Sequence, residues 1–257
     1  MLRIVQVTDP HLGADADFCL AGVSTRDSFQ KTLALAAESS PDLLLVTGDI
    51  AADPSTEAYA SFFSMIQLFP APMRWLPGNH DSLDVIQSVA RSTPFDRVYD
   101  LGNWRLLQLD SVKVGSPAGS LSEAELTRFE KLLEENTQEH VLVALHHHTL
   151  EVGSRWLDQQ KIDTAERFLD IVSAHSAIRA VLCGHVHQEY QSVNNGVLFA
   201  SAPSTCVQFA PNSDDFALDE LQPGLRVIDL EESGNVQTHV LRLPDGSFEP
   251  DHNTGGY

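Results

Sequence analysis

Three short apolar runs, at residues 42–47, 141–145 and 178–183, constrain this chain more than any other feature. Hydrophobicity that is continuous rather than alternating over so few residues reads as a strand covered on both faces. Each run stops at a polar group. The first ends in Gly48-Asp49, the second in His146-His147-His148, and the third in Gly184-His185-Val186-His187. Two further strand-like segments do the same: residues 2–8 deliver Asp9-Pro10-His11, and residues 73–76 deliver Pro77-Gly78-Asn79-His80-Asp81. In extended chain, residues i and i+2 share a side, so Asp9 with His11 and His185 with His187 are expected to face together.

The segments between these strands carry helical periodicity. A helix is expected from Thr25 to about Pro41, with Phe29, Leu33 and Ala36 on one face. Another follows Asp53-Pro54, read as an N-cap with proline at the first helical position, and shows Tyr59, Phe62, Phe63 and Ile66 at i, i+3, i+4, i+7. Ser122-Glu123-Ala124-Glu125 is a capping box opening a third helix, and residues 162–174 read as a fourth. Asn194-Asn195-Gly196 is a hairpin turn between strands at 189–193 and 197–202, and 205–209, 225–230 and 236–243 read as further strands. Alternating β and α followed by mostly β predicts two sheets packed face to face with helices outside. We expect one domain over residues 1–257, with a surface tail from about 244.

Composition narrows the function classes. The 36 acidic against 16 basic residues give a formal net charge of −20, which argues against nucleic acid, because phosphate-backbone binding wants a basic surface. No apolar run approaches the ~20 residues of a membrane span, and the first residues lack a signal-peptide pattern. Cys19, Cys183 and Cys206 form neither a zinc pattern nor a disulfide framework. Together these predict a cytoplasmic protein with no nucleic-acid and no membrane partner, and they do not exclude a small anionic substrate; a homodimer is left open.

The strand-end groups Asp9, His11, Asp49, Asn79, His146, His185 and His187 mix carboxylate, amide and imidazole donors, as suits first-row divalent metals better than calcium. So many ligands exceed what one four-coordinate ion takes, and two metals bridged by Asp49 fit the count. Such a pair polarises a substrate oxygen and turns a shared water into hydroxide, which can attack phosphorus in line. His80 is left over beside Asn79, and an imidazole suits the general acid that protonates the leaving oxygen.

Asp-x-His, Gly-Asp, Gly-Asn-His-Asp, a strand-end His and Gly-His-x-His, in this order from Asp9 to His187, resemble the calcineurin-like metallophosphoesterases. Trp75 to Asp81, Trp156-Leu157-Asp158, Leu182 to Glu189, Pro203 to Phe209, Gly22-Val23 and the terminal Gly256-Tyr257 further resemble the bacterial class III 3′,5′-cyclic AMP phosphodiesterases. The resemblance implies an α/β fold, a four-layer αββα sandwich of two mixed β-sheets flanked by helices. It implies that Asp9, His11, Asp49 and His187 hold one metal and Asp49, Asn79, His146 and His185 the other, the ions being Fe, Mn, Mg or similar, bridged by Asp49 and a hydroxide. It also implies that His11, Asn79, His80 and His187 line the phosphate of a cyclic nucleotide. Thr149 stands where the family often has proline after its histidines, which leaves His147 as a competitor of His146. Ser204 and Thr205 either touch substrate or order a loop near the metals.

The expected reaction is hydrolysis of 3′,5′-cyclic AMP to 5′-AMP by attack of a metal-bound hydroxide, with His80 as general acid. A broader phosphodiesterase for 2′,3′-cyclic nucleotides or other small phosphodiesters would need the same metal site. A non-catalytic scaffold on the same fold is the remaining alternative. His140, His175, His239 and His252 have no partner motif and are expected to be structural.

Overall fold

The computed structural model describes residues 1–90 and 95–255. The Gly256-Tyr257 motif lies outside the described residues. In chain order the elements are β1 (Leu2–Val7), β2 (Cys19–Leu20), β3 (Val23–Ser24), α1 (Thr25–Glu38), β4 (Leu43–Thr47), α2 (Thr56–Ile66), β5 (Met73–Leu76) and α3 (Leu83–Val89). Then come β6 (Val98–Leu101), β7 (Trp104–Gln108), α4 (Glu123–Glu134), β8 (His140–Ala144), α5 (Arg155–Asp158), α6 (Ala165–Ala174) and β9 (Ile178–Cys183). The chain closes with β10 (Tyr190–Asn194), β11 (Val197–Ser201), β12 (Gln208–Phe209), β13 (Leu218–Asp219), β14 (Gly224–Leu230) and β15 (Val236–Arg242).

Two mixed sheets result, one ordered β15-β14-β1-β4-β5 and the other β10-β11-β9-β8-β7-β6. Ile4, Leu43, Leu45, Leu76, Leu142 and Leu182 belong to one buried cluster drawn from both sheets, so the sheets pack face to face. The opposite face of the first sheet packs on α1, α2 and α3 through Phe29, Tyr59, Phe62 and Ile86. That of the second packs on α4 and α6 through Phe129 and Phe168. This is the four-layer αββα sandwich, and it explains the continuous apolar runs: β4, β8 and the C-terminal part of β9 have no solvent face, as their burial shows.

Some boundaries differ from the sequence reading. The cap of α2 is Ser55, whose hydroxyl accepts from the Ala58 N–H, so Asp53-Pro54 precedes the helix instead of opening it. Strand β12 is limited to Gln208–Phe209; Ser204 and Thr205 instead bond the chain just after β1, and the Cys206 N–H donates to Ser204 Oγ. At the hairpin, Asn195 and Gly196 take φ of 51° and 82°, the left-handed pair that its Asn-Gly sequence favours. The tail is partly anchored, since the Asp251 N–H donates to the Ala21 carbonyl at 2.8 Å and Phe248 packs beside the β2–β3 ribbon.

Within these sheets β1, β4 and β5 run parallel, as do β7, β8 and β9. Their carboxyl ends open on one rim, and every sequence-derived donor lies on it. The two sheets meet closely there. A Cβ on Gly184 would strike the Thr8 side chain and come within 2.9 Å of Asp9 Oδ2 and the Thr47 carbonyl.

Candidate metal centre

Asp9 and Asp49 each sit two residues past their strands, and both are buried. Asn79 follows β5, His146 follows β8, and His185 and His187 follow β9. The structure brings all of these together with His11 and His80. His187 Nε2 is 3.3 Å from Asp9 Oδ1 and 3.2 Å from His11 Nε2. His146 Nε2 is 3.3 Å from Asp49 Oδ2 and 3.2 Å from Asn79 Oδ1. Asp49 Oδ2 is also 3.8 Å from His11 Nε2, so this one carboxylate lies between the two groups.

The convergence is not achieved by extended chain. Asp9, His11, Asp49, His185 and His187 have φ of 53°, 45°, 47°, 67° and 47°, all in the left-handed region. The strands end before the donors, and tight left-handed turns aim them. The i, i+2 pairing predicted for Asp-x-His holds as proximity, by a different backbone route; in His-x-His the two rings line one cleft but part, His187 grouping with Asp9 and His11 and His185 with His146 and His147.

Backbone carbonyls fix the ring orientations. His146 Nδ1 lies 2.7 Å from the Thr47 carbonyl and His187 Nδ1 lies 2.8 Å from the Val207 carbonyl. A carbonyl only accepts, so both Nδ1 atoms carry protons and both Nε2 atoms turn toward the carboxylates, the arrangement of a metal-ligating imidazole. His187 is further held by a parallel stack on Phe209, with centroids 4.1 Å apart.

The charge balance fits a cation. Burial raises the Asp9 carboxyl, but the His187 and His146 imidazoles outweigh it and hold it below its usual value. Asp49 is likewise lowered well below, burial being overcome by His146 and His11. Burial pushes His146 down, yet Asp49 and Asp9 lift it to about 9. Burial lowers His11 to about 3 and holds His185 and His147 well below the usual imidazole value. Two buried carboxylates are thus ringed by imidazoles. His185 Nε2 and His147 Nε2 are buried with no partner among the described residues. Orphaned buried nitrogens are costly unless something occupies them, and a divalent ion meets that need. Compact Asp/His groups with ligand atoms within 4.8 Å of one another include Asp9-His11-His187, Asp9-Asp49-His146 and His146-His147-His185.

His147 differs from His146 in its partners: its Nδ1 pairs with Ser111 Oγ at 2.8 Å, whereas His146 Nε2 lies against Asp49 and Asn79. Ser204 and Thr205 serve the loop after β1: Ser204 Oγ donates to the Asp9 carbonyl at 2.8 Å, and the Thr205 N–H donates to the Thr8 carbonyl at 3.0 Å. His80 keeps its backbone N–H on Asp49 Oδ1 at 2.9 Å, and its Nδ1 lies 3.2 Å from the Ala52 carbonyl.

Sequence reasoning missed Asp81. Its carboxylate accepts from the N–H groups of Ile50, Ala51 and Gly78 at 3.1, 3.1 and 2.9 Å, and from the Tyr59 hydroxyl at 3.1 Å. It therefore clamps the Asp49 loop to the Asn79-His80 loop. Its adjacency to Asn79-His80 was the available signal. Ser111 had none, because a strand-end serine reads as a turn.

Comparison with known proteins decides the family. A profile for calcineurin-like phosphoesterase matches residues 2–189. The chain belongs to that family. As the resemblance predicted, this makes it a phosphoester hydrolase of the kind that uses divalent metal ions. Over its full length it is 41% identical to the 3′,5′-cyclic adenosine monophosphate phosphodiesterase CpdA of Vibrio vulnificus, covering 95% of that protein. It is 40% identical to CpdA of Escherichia coli K12 with the same coverage. A 3′,5′-cyclic-nucleotide phosphodiesterase of Nostoc is 33% identical over 95% of this chain and 93% of its own. Among solved structures, a dimetal phosphatase from Danio rerio superposes with a TM-score of 0.68 at 14% identity, covering 94% of this chain and 98% of its own. That likeness establishes the shared fold. No helix among the described residues is long and apolar enough to cross a membrane.

Proposed function

We propose that this phosphoesterase hydrolyses 3′,5′-cyclic AMP to 5′-AMP at a dinuclear centre. The observation that carries this reading is the convergence of Asp9, His11 and His187 on one side of Asp49 and of Asn79 and His146 on the other. The full-length similarity to cyclic AMP phosphodiesterases supports the substrate.

In this reading Asp9, His11, Asp49 and His187 hold one divalent ion, Asp49, Asn79, His146 and His185 hold the other, and iron, manganese or magnesium suits the donors. When bound, such ions supply Lewis-acid activation of water and of phosphoryl oxygens. The protein's own residues do the rest. His11, Asn79, His80 and His187 surround the phosphate. The Thr47 and Val207 carbonyls hold His146 and His187 in one tautomer, so the donor array is preorganised. A water oxygen bonds to phosphorus and its proton passes to solvent, as the bond from phosphorus to the 3′ oxygen breaks and that oxygen takes a proton from His80. With Nδ1 tied to the Ala52 carbonyl, the proton leaves from Nε2 of the imidazolium.

The test is a substrate panel of 3′,5′-cyclic AMP, 2′,3′-cyclic AMP and bis(p-nitrophenyl) phosphate against protein loaded with manganese or iron. Highest kcat/KM on 3′,5′-cyclic AMP is expected. Faster turnover of the 2′,3′ isomer would replace this reading with the broader phosphodiesterase.

A further inference from the structure

Asp49, Asn79, His80, His185 and His187 line a cleft of about 230 Å³ that continues past them along Trp156, Leu157, Gln160, Phe209 and Phe216. The aromatic residues form a mutual edge-to-face cluster. Trp156 lies 5.1 Å from Phe209 at 67° and 5.5 Å from Phe216 at 72°, and Phe209 lies 5.5 Å from Phe216 at 68°. Phe209 is accounted for by its stack on His187. Trp156 and Phe216 stand one ring further out and are only half-buried. Hydrolysis of a phosphodiester needs no aromatic wall at that distance. The wall also carries one partly exposed polar side chain, the amide of Gln160.

We propose that this wall is the nucleobase subsite, with Trp156 and Phe216 packing a purine and Gln160 reading its edge; this rests on the cyclic-nucleotide reading above. An aromatic surface takes any base, because every base has a π-face. Selection then falls to the amide of Gln160, which makes no side-chain hydrogen bond to a described residue. Adenine presents an N6 amino donor beside the N7 acceptor, and a glutamine amide pairs with both; guanine presents two acceptors there, which suit arginine instead. Phosphate at the donor end and base at the ring end use the cleft from one end to the other.

Two measurements test this. The first compares kcat/KM on 3′,5′-cyclic AMP with that on trimethylene phosphate, a six-membered cyclic phosphodiester with neither ribose nor base. Phe216→Ala should lower the ratio of the two about tenfold, the loss expected when one base-stacking ring is removed. Gln160→Arg should shift preference from cyclic AMP toward cyclic GMP by a similar factor. Equal losses on both substrates, or no change in the base preference, overturn the proposal.

The second measurement is binding without turnover. Trp75 and Trp104 are almost fully buried, so quenching of tryptophan fluorescence at the cleft reports Trp156. On metal-loaded protein the product 5′-AMP should quench and ribose 5-phosphate should not, and Phe216→Ala should weaken the 5′-AMP response. If 5′-AMP quenches but cyclic AMP is not hydrolysed by the loaded enzyme, the subsite stands and the substrate reading falls. If cyclic AMP is hydrolysed and neither ligand quenches, the reverse holds.

Discussion

The imidazole of His146, at the end of β8 in one sheet, donates its Nδ1 proton to the carbonyl of Thr47, at the end of β4 in the other. A candidate metal ligand from one sheet is thus oriented by the strand that delivers Asp49 from its partner. His147 has no such tie; its Nδ1 pairs with Ser111. His146→Ala should lower metal affinity by more than the about 10–100-fold that loss of an outer partner costs. His147→Ala should cost less. Metal content of dialysed protein checks this, and greater loss from His147→Ala would reassign the ligand.

His80→Ala should keep its metals, because the contact to Asp49 Oδ1 is made by the backbone N–H. Its kcat on cyclic AMP should fall about 100- to 10,000-fold, the usual contribution of a general acid. The loss should shrink on p-nitrophenyl esters, whose leaving oxygen needs no proton. An equal loss on both ester types would remove the acid role.

Asp81→Asn keeps the shape of the clamp but turns an amide toward donors. At least one of the Ile50, Ala51 and Gly78 N–H groups then loses its acceptor, at about 1–3 kcal/mol of stability. Chemical denaturation should show that loss together with a weakened metal affinity, because the clamp joins the loops carrying Asp49 and Asn79. Lost stability at undiminished affinity would make the clamp purely structural.

Cys19 is exposed, whereas Cys183 and Cys206 are buried. Burial pushes both buried thiols up to about 12, so neither offers thiolate near neutral pH. A thiol reagent at pH 8 should therefore modify Cys19 rapidly and the other two only after unfolding. Mass spectrometry of the native adduct reads the site directly.

The rim was legible in the sequence because its donors follow strands with no solvent face, and such strands announce themselves as unbroken apolar runs. Residues 42–47, 141–145 and 178–183 could be little else. The backbone at the donors was not legible. A left-handed Asp9 or His187 looks like any other residue in a row of letters, since neither is glycine. The short pairs β2–β3 and β12–β13 are too brief to show a period. Asp81 and Ser111 act across distances of 31 and 36 residues, and no local pattern encodes a contact that only the closed sandwich creates.

Left-handed turns at Asp9, His11, Asp49, His185 and His187 disfavour side chains by about 1–3 kcal/mol each. The sandwich holds them there beside two buried carboxylates, so the rim resembles a drawn spring whose latch is positive charge. Chelation should release it from the top downward. Amide exchange should quicken first at 9–11, 49 and 185–187, and the midpoint of thermal unfolding should drop, while the cores facing α1 and α4 keep their protection.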